Sequence, residues 1–101
     1  MISILFICNE GMSTGYLCNK INELALQEGI EANAWAIPES ALEGRYKEAD
    51  VIMVGPQIKY LIESIRQRID FSLPVEAINP IDFGRINAKA VLEHALSLVR
   101  N

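Results

Sequence analysis

A chain of 101 residues and 11.3 kDa is the size of one domain of about 100 to 150 residues, and area scaling at this mass hides roughly 65% of the extended surface, enough for a core without disulfide staples. Nine Lys and Arg against thirteen Asp and Glu leave a net charge of -4, a balance that repels a phosphate backbone and argues against nucleic-acid binding. Half of the residues are hydrophobic, too apolar for disorder, yet no apolar stretch approaches the about 20 residues of a membrane span, and Met1-Ile2-Ser3 lacks a basic signal region, so a cytoplasmic protein is expected.

Ile2 to Cys8 is a nearly unbroken β-favouring run, which suits a parallel strand covered on both faces. Leu17, Ile21, Leu24, Ala25 and Glu28 then recur at helical spacing, so a helix from about Ser13 to Glu28 is predicted, stopped by Gly29. Ile30 to Ile37 reads as a second strand ending at Pro38. Glu39 to Lys47 reads as a short helix weakened by Gly44. Asp50 to Val54 is a third strand closed by Gly55-Pro56, and Ile58, Leu61, Ile62, Ile65 and Ile69 trace a third helix with Pro56 in its first turn. Val75 to Ile78 forms a fourth strand, and Ala88, Val91, Leu92, Ala95, Leu96 and Val99 line the inner face of a last helix.

This βαβαβαβα order predicts a single α/β domain spanning residues 1–101, with a parallel sheet, right-handed crossovers and helices on both faces. Ligands of such sheets bind beyond the carboxyl ends of the strands. Those ends are Cys8 to Ser13, Ile37 to Ser40, Gly55 to Gln57, and Asn79 to Gly84. The first holds the chemistry: Cys8-Asn9-Glu10-Gly11-Met12-Ser13-Thr14-Gly15 joins a buried strand to the amino end of a helix.

Gly11 permits a positive φ that lets successive N–H groups converge on an anion, and Ser13 or Thr14 offers a cap and a hydroxyl. The same N–H groups and the helix dipole favour a thiolate, so Cys8 is a candidate nucleophile toward phosphorus. Its alternative role is that of a small buried hydrophobe. Cys18 sits beside Ile21 and Ala25 on the apolar helix face and reads as packing, and a bridge to Cys8 across the loop and a helical turn is not expected.

Rival chemistries fare less well. A cysteine phosphatase loop is Cys-x5-Arg, and Thr14 stands where the Arg belongs, so efficient hydrolysis of a phosphate ester lacks its bidentate clamp. Phosphatase is the second reading. The Cys-x-x-Cys of a thioredoxin-like reductase and the Gly-x4-Gly-Lys-Ser/Thr of a nucleotide loop are both absent. No metal or other cofactor is called for.

Ile4-Leu5-Phe6-Ile7-Cys8 followed by Gly11-Met12-Ser13-Thr14, then Gly55-Pro56-Gln57 before the third helix, resembles the enzyme IIB subunit of the lactose/cellobiose family of the bacterial phosphotransferase system. The resemblance spans essentially the whole chain. It implies a four-stranded parallel sheet in the order 2-1-3-4, a fold with the loop architecture of the cysteine phosphatases, and a cysteine that accepts a phosphoryl group from a histidine of enzyme IIA. The group then passes to a sugar of the cellobiose, lactose or chitobiose kind held by the membrane permease, enzyme IIC. On that basis Cys8 is the nucleophile and carrier, residues Asn9, Glu10, Gly11, Met12, Ser13, Thr14 and Gly15 form the phosphate cradle, and Ser13 and Thr14 are hydroxyl donors. The absent Arg suits a carrier, which holds its phosphoryl group without hydrolysing it. A regulatory domain that keeps the fold without the transfer is the remaining alternative.

Two departures from the family pattern stand out. Asn9 and Glu10 replace the small uncharged residues that commonly follow the cysteine, and because a Glu10 carboxylate facing a phosphorylated thiol would repel it, Glu10 is expected to point into solvent. Asp82-Phe83-Gly84 stands where the family often has Asp-Tyr-Gly, so a phenolic hydroxyl is lost. Partner contacts are expected from the strand ends: Pro38, Gly55, Pro56, Gln57, Lys59, Asp82, Phe83 and Arg85. Arg45 and Lys47 are expected in solvent, His94 on the polar side of the last helix, and Trp35 and Tyr60 in packing roles.

Overall fold

A computed structural model describes residues 1–9 and 14–99, so the predicted cradle residues Glu10, Gly11, Met12 and Ser13 lie outside the described residues. Four parallel strands, β1 (Ile2–Cys8), β2 (Ala32–Pro38), β3 (Val51–Val54) and β4 (Val75–Ala77), form one sheet in the order β2-β1-β3-β4. The helices are α1 (Thr14–Glu28), α2 (Leu42–Arg45), α3 (Ile62–Arg68), α4 (Pro80–Gly84) and α5 (Ala88–Val99).

The side-chain period of two explains why the interior strands are apolar throughout. Ile4 and Phe6 of β1, with Val51 and Met53 of β3, enter one cluster with Leu17, Cys18 and Ile21 of α1 and Val91, Leu92 and Ala95 of α5. Leu5 and Ile7, with Ile52 and Val54, enter a second cluster with Leu42 of α2 and Ile65 of α3. All four of Ile4 to Ile7 are completely buried, and at roughly 1.5–3 kcal/mol per large apolar side chain this strand is the principal hydrophobic anchor of both layers.

The differences from the predicted elements have local causes. Gly29, at φ +68°, closes α1 as expected, and the Ile30 N–H donates back to the Ala25 carbonyl at 2.8 Å. This left-handed helix stop uses residues that the apolar pattern assigned to the second strand. The predicted Glu39 to Lys47 helix contracts to α2 between two 3-10 turns, Glu39–Ala41 and Tyr46–Glu48. The third helix opens with a 3-10 segment, Pro56–Leu61, in which Ile58 leaves helical geometry while burying its side chain. The short helix α4 was absent from the predicted elements: Asn79 caps it, its Oδ1 accepting from Ile81 N at 2.9 Å and Asp82 N at 3.2 Å, with Pro80 in its first turn.

Candidate active site

Register brings the strand ends to one side of the molecule. Cys8 pairs with Pro38 across β1 and β2, the Gly55 N–H donates to the Ile7 carbonyl at 3.0 Å, and the Ile78 N–H donates to the Val54 carbonyl at 2.9 Å. Cys8, Pro38, Gly55 and the segment entering α4 are thus adjacent in sheet order at the carboxyl edge, as predicted for a ligand site.

Cys8 terminates β1 half-buried, and its thiol donates to the Ile37 carbonyl at 3.7 Å, a contact between adjacent strands. Asn9 follows it at the surface. Beyond residues 10–13 the chain re-enters as α1, whose first residue, Thr14, is completely buried, and its Oγ1 has no hydrogen-bond partner among the described residues. A buried hydroxyl without a partner carries a desolvation cost that a ligand acceptor relieves. Gly15 lies in the first turn of α1 with open space around the position of a Cβ, so its contribution is a helix N-terminal N–H rather than close backbone approach.

Cys18, one turn into α1, is 3% exposed. Burial, with a smaller contribution from Cys8, pushes its thiol up to about 12, so it is held protonated and inert at neutral pH. Both cysteines are free. The two thiols therefore divide by position, one half-buried at a strand end and one packed, as predicted for Cys18.

Several expected contacts are placed differently. Pro38, Gln57, Lys59 and Arg85 are exposed around the strand ends, and Pro56 and Asp82 are half-buried there. Phe83 is buried in the core with α5 residues, and Gly55 is buried too. Neither offers a side chain to a partner, because the short turn of α4 points Phe83 inward. Tyr60 is the opposite case, 75% exposed rather than packed. Trp35 is half-buried against the α2 and α3 side of the sheet, as expected, and His94 is half-buried on α5. Tyr16 and Ile81, which the sequence did not single out, are also exposed. Together with Tyr60 they belong to the elements that leave the carboxyl ends of β1, β3 and β4. The Lys20 ammonium lies 5.5 Å from the Tyr16 ring centroid.

Ile37 and Arg68 were also not singled out. No residue-type signal marks a backbone carbonyl as a thiol acceptor, and Arg68 reads in sequence as an ordinary basic helix end.

With this geometry in place, comparisons with known proteins are informative. Residues 3–94 match the family model described as the lactose/cellobiose-specific IIB subunit of the phosphotransferase system. The chain is similar to the oligo-beta-mannoside-specific EIIB component of Bacillus subtilis, 34% identical over 100% of this chain and 99% of that one. It is similar in structure to the cellobiose-specific IIB component of Borrelia burgdorferi, with a TM-score of 0.82 and 32% identity over 99% of this chain and 93% of that one. The lactose-specific IIB domain of Streptococcus pneumoniae shares the fold, with a TM-score of 0.87 at 17% identity over 98% of each chain.

Proposed function

Because the chain belongs to the lactose/cellobiose-specific IIB family of the sugar phosphotransferase system, and so is a phosphotransferase component, we propose that Cys8 is the residue that carries its phosphoryl group. The observation that carries this reading is the half-buried thiol of Cys8 at the carboxyl end of an interior strand, six residues ahead of the first residue of α1. The Cys8 sulfur attacks the phosphorus of a phosphohistidine on enzyme IIA, the P–N bond breaks, and the proton that the thiol gives up ends on the departing imidazole, which leaves neutral. In the second transfer a sugar hydroxyl bound by enzyme IIC attacks the same phosphorus, the P–S bond breaks, and the proton lost by the hydroxyl restores the Cys8 thiol.

Both transfers depend on in-line positioning and on neutralising the equatorial oxygens. The N–H groups at the start of α1 supply part of that field, and the buried Thr14 hydroxyl, without a partner among the described residues, supports a donor role toward a phosphoryl oxygen. Backbone groups of residues 9–15 and the Ser13 hydroxyl complete the cradle in this reading. Thr14 in place of the phosphatase Arg leaves water without a preorganised transition state, so phosphate is retained for the next protein.

Enzyme IIA and the permease dock, in this reading, on the strand-end surface where Pro38, Gln57, Lys59 and Arg85 are exposed together with Tyr16, Tyr60 and Ile81. Aromatic and apolar side chains within a charged rim are the usual anchors of a transient interface. Among the described residues no helix is long and apolar enough to cross a membrane, and we place the protein in the cytoplasm, meeting the membrane only through the permease. The sugar is chosen by the permease, and a β-linked disaccharide of the cellobiose kind accords with the cellobiose-specific relatives.

The test is incubation with phosphoenolpyruvate, the general phosphotransferase proteins and a cognate enzyme IIA, followed by intact mass and site mapping. One phosphate on Cys8, lost in a folded Cys8→Ser variant, is expected, because a serine hydroxyl is hardly ionised near neutral pH. Undiminished sugar phosphorylation by Cys8→Ser overturns the assignment.

A further inference from the structure

We propose that Arg68 is a positioning residue for phosphoryl transfer, because its guanidinium clamps the chain immediately after the β2 carbonyl that holds the Cys8 thiol. This rests on the reading of Cys8 as the phosphoryl carrier. The connection is short. The Cys8 thiol donates to the Ile37 carbonyl at 3.7 Å, Pro38 follows as the register partner of Cys8, and Glu39 comes next. Arg68, at the carboxyl end of α3, donates to the Glu39 backbone carbonyl at 3.2 Å and pairs with the Glu39 carboxylate. Its remaining donors bind Glu43 of α2 at 2.6 and 2.7 Å.

One planar guanidinium thus spans α3, α2 and the end of β2. The Arg68 side chain is 25% exposed and that of Glu39 33%, so the pair is screened less than an open surface pair. A bidentate fork fixes orientation as well as distance, which a lysine cannot reproduce. The need for such a clamp follows from the fold. β2 is an edge strand, Pro38 has no N–H to give to a neighbour, and the segment after it is a 3-10 turn without a side-chain cap. Without Arg68 the end of β2 keeps its register with β1 but, among the described residues, loses its polar tie to α3, so the carbonyl facing Cys8 is held less firmly against the helical layer. A displacement of about 1 Å at a reacting group is enough to slow transfer severely.

The experiment compares Arg68→Met and Glu43→Gln with the unaltered chain, by two readouts. The first is the initial rate of Cys8 phosphorylation by histidine-phosphorylated enzyme IIA. The second is the Raman S–H stretch in a Cys18→Ala background, where Cys8 holds the only thiol, since hydrogen bonding to a carbonyl lowers that frequency. Arg68→Met should slow phosphorylation by about threefold to tenfold and raise the S–H frequency toward that of an unbonded thiol. Glu43→Gln, which removes one ion pair and leaves both Glu39 contacts, should change neither readout appreciably, although it removes a similar surface pair. A folded Arg68→Met protein with unchanged rate and band overturns the proposal, as does an equal effect of Glu43→Gln. If Arg68→Met does not fold, Glu39→Gln takes its place with the same band shift expected, and an unchanged band overturns the proposal. If the unaltered chain takes no phosphate on Cys8, the carrier reading fails, and the band comparison still decides whether Arg68 positions the thiol.

Discussion

The Asn22 side chain holds both backbone groups of Ala34, accepting from its N–H at 2.8 Å and donating to its carbonyl at 2.9 Å. Ala34 lies in β2, an edge strand whose other side pairs with β1, and these are the groups that point away from the sheet. An unpaired edge is both a desolvation cost and a template for association. A helix side chain here stands in for the missing strand.

Asn22→Ala should therefore cost about 1–3 kcal/mol, the range for leaving partly buried backbone groups without partners. Urea unfolding followed by circular dichroism checks it. Asn22→Asp, which keeps the acceptor and loses the donor, should fall between. A change below a few tenths of a kcal/mol for Asn22→Ala would show that water replaces the amide at no cost.

Cys18 makes an alkaline prediction. Its folded value of about 12 lies above the ordinary 9.0, so between these values the unfolded chain has released a proton that the native chain retains. Stability is therefore fully present below pH 9 and declines as pH rises toward 12, by at most about 4 kcal/mol for three units at 1.36 kcal/mol each. Cys18→Ala should flatten that decline in thermal melts between pH 9 and 11. In native alkylation at pH 7.5, iodoacetamide should label Cys8 while leaving Cys18 unmodified, as read by peptide mass spectrometry.

The acid limb belongs to Glu43. The hydrogen bonds from Arg68 are the main reason its carboxyl is lowered from 4.5 to about 2. A depressed folded value means that the contribution is present above pH 4.5 and is lost as pH falls toward 2. The carboxylate is exposed, so the effect is screened and should shrink in 1 M salt. A carbon-detected NMR titration should find the Glu43 midpoint well below the ordinary 4.5. A midpoint near 4.5 would mean that the Arg68 fork does not hold Glu43 in solution.

Phe71 follows α3 in the left-handed region at φ 56°, next to Asp70 at φ 58°. Its N–H donates to the Arg66 carbonyl at 2.8 Å, so the strained turn is fixed by the helix end, and its ring is 65% exposed. A bulky side chain is disfavoured there and little packing compensates it. Phe71→Gly should raise stability by about 0.5–1 kcal/mol, the relief exceeding the larger chain entropy of glycine. A lower melting temperature for this variant would show that the exposed ring makes contacts worth more than the strain.

The strands, the first and last helices, the Gly29 stop and the gathering of the strand ends at one edge of a parallel sheet were all readable from local pattern, because two-sided burial and helical periodicity leave their marks on consecutive residues. Helix α4 was readable in principle, since Asn79-Pro80 is a cap followed by a first-turn proline. Cys8 was legible as the strand-end thiol and Cys18 as the packed one, since strand end and helix face are local properties. Sheet order was not in the periodicity and came from resemblance to a family.

Only tertiary structure decided which of the strand-end residues face outward. Phe83 turns into the core and Tyr60 into solvent, because one lies in the short capped helix α4 and the other in the 3-10 segment Pro56–Leu61, two local geometries that the apolar periodicity did not reveal. The same holds for the Ile37 carbonyl beside Cys8 and the Arg68 fork on Glu39 and Glu43, contacts between residues 25 to 29 positions apart. Such pairs are selected by register and by the packing of α3 on the sheet, which depend on the whole fold and leave no periodic trace in the chain.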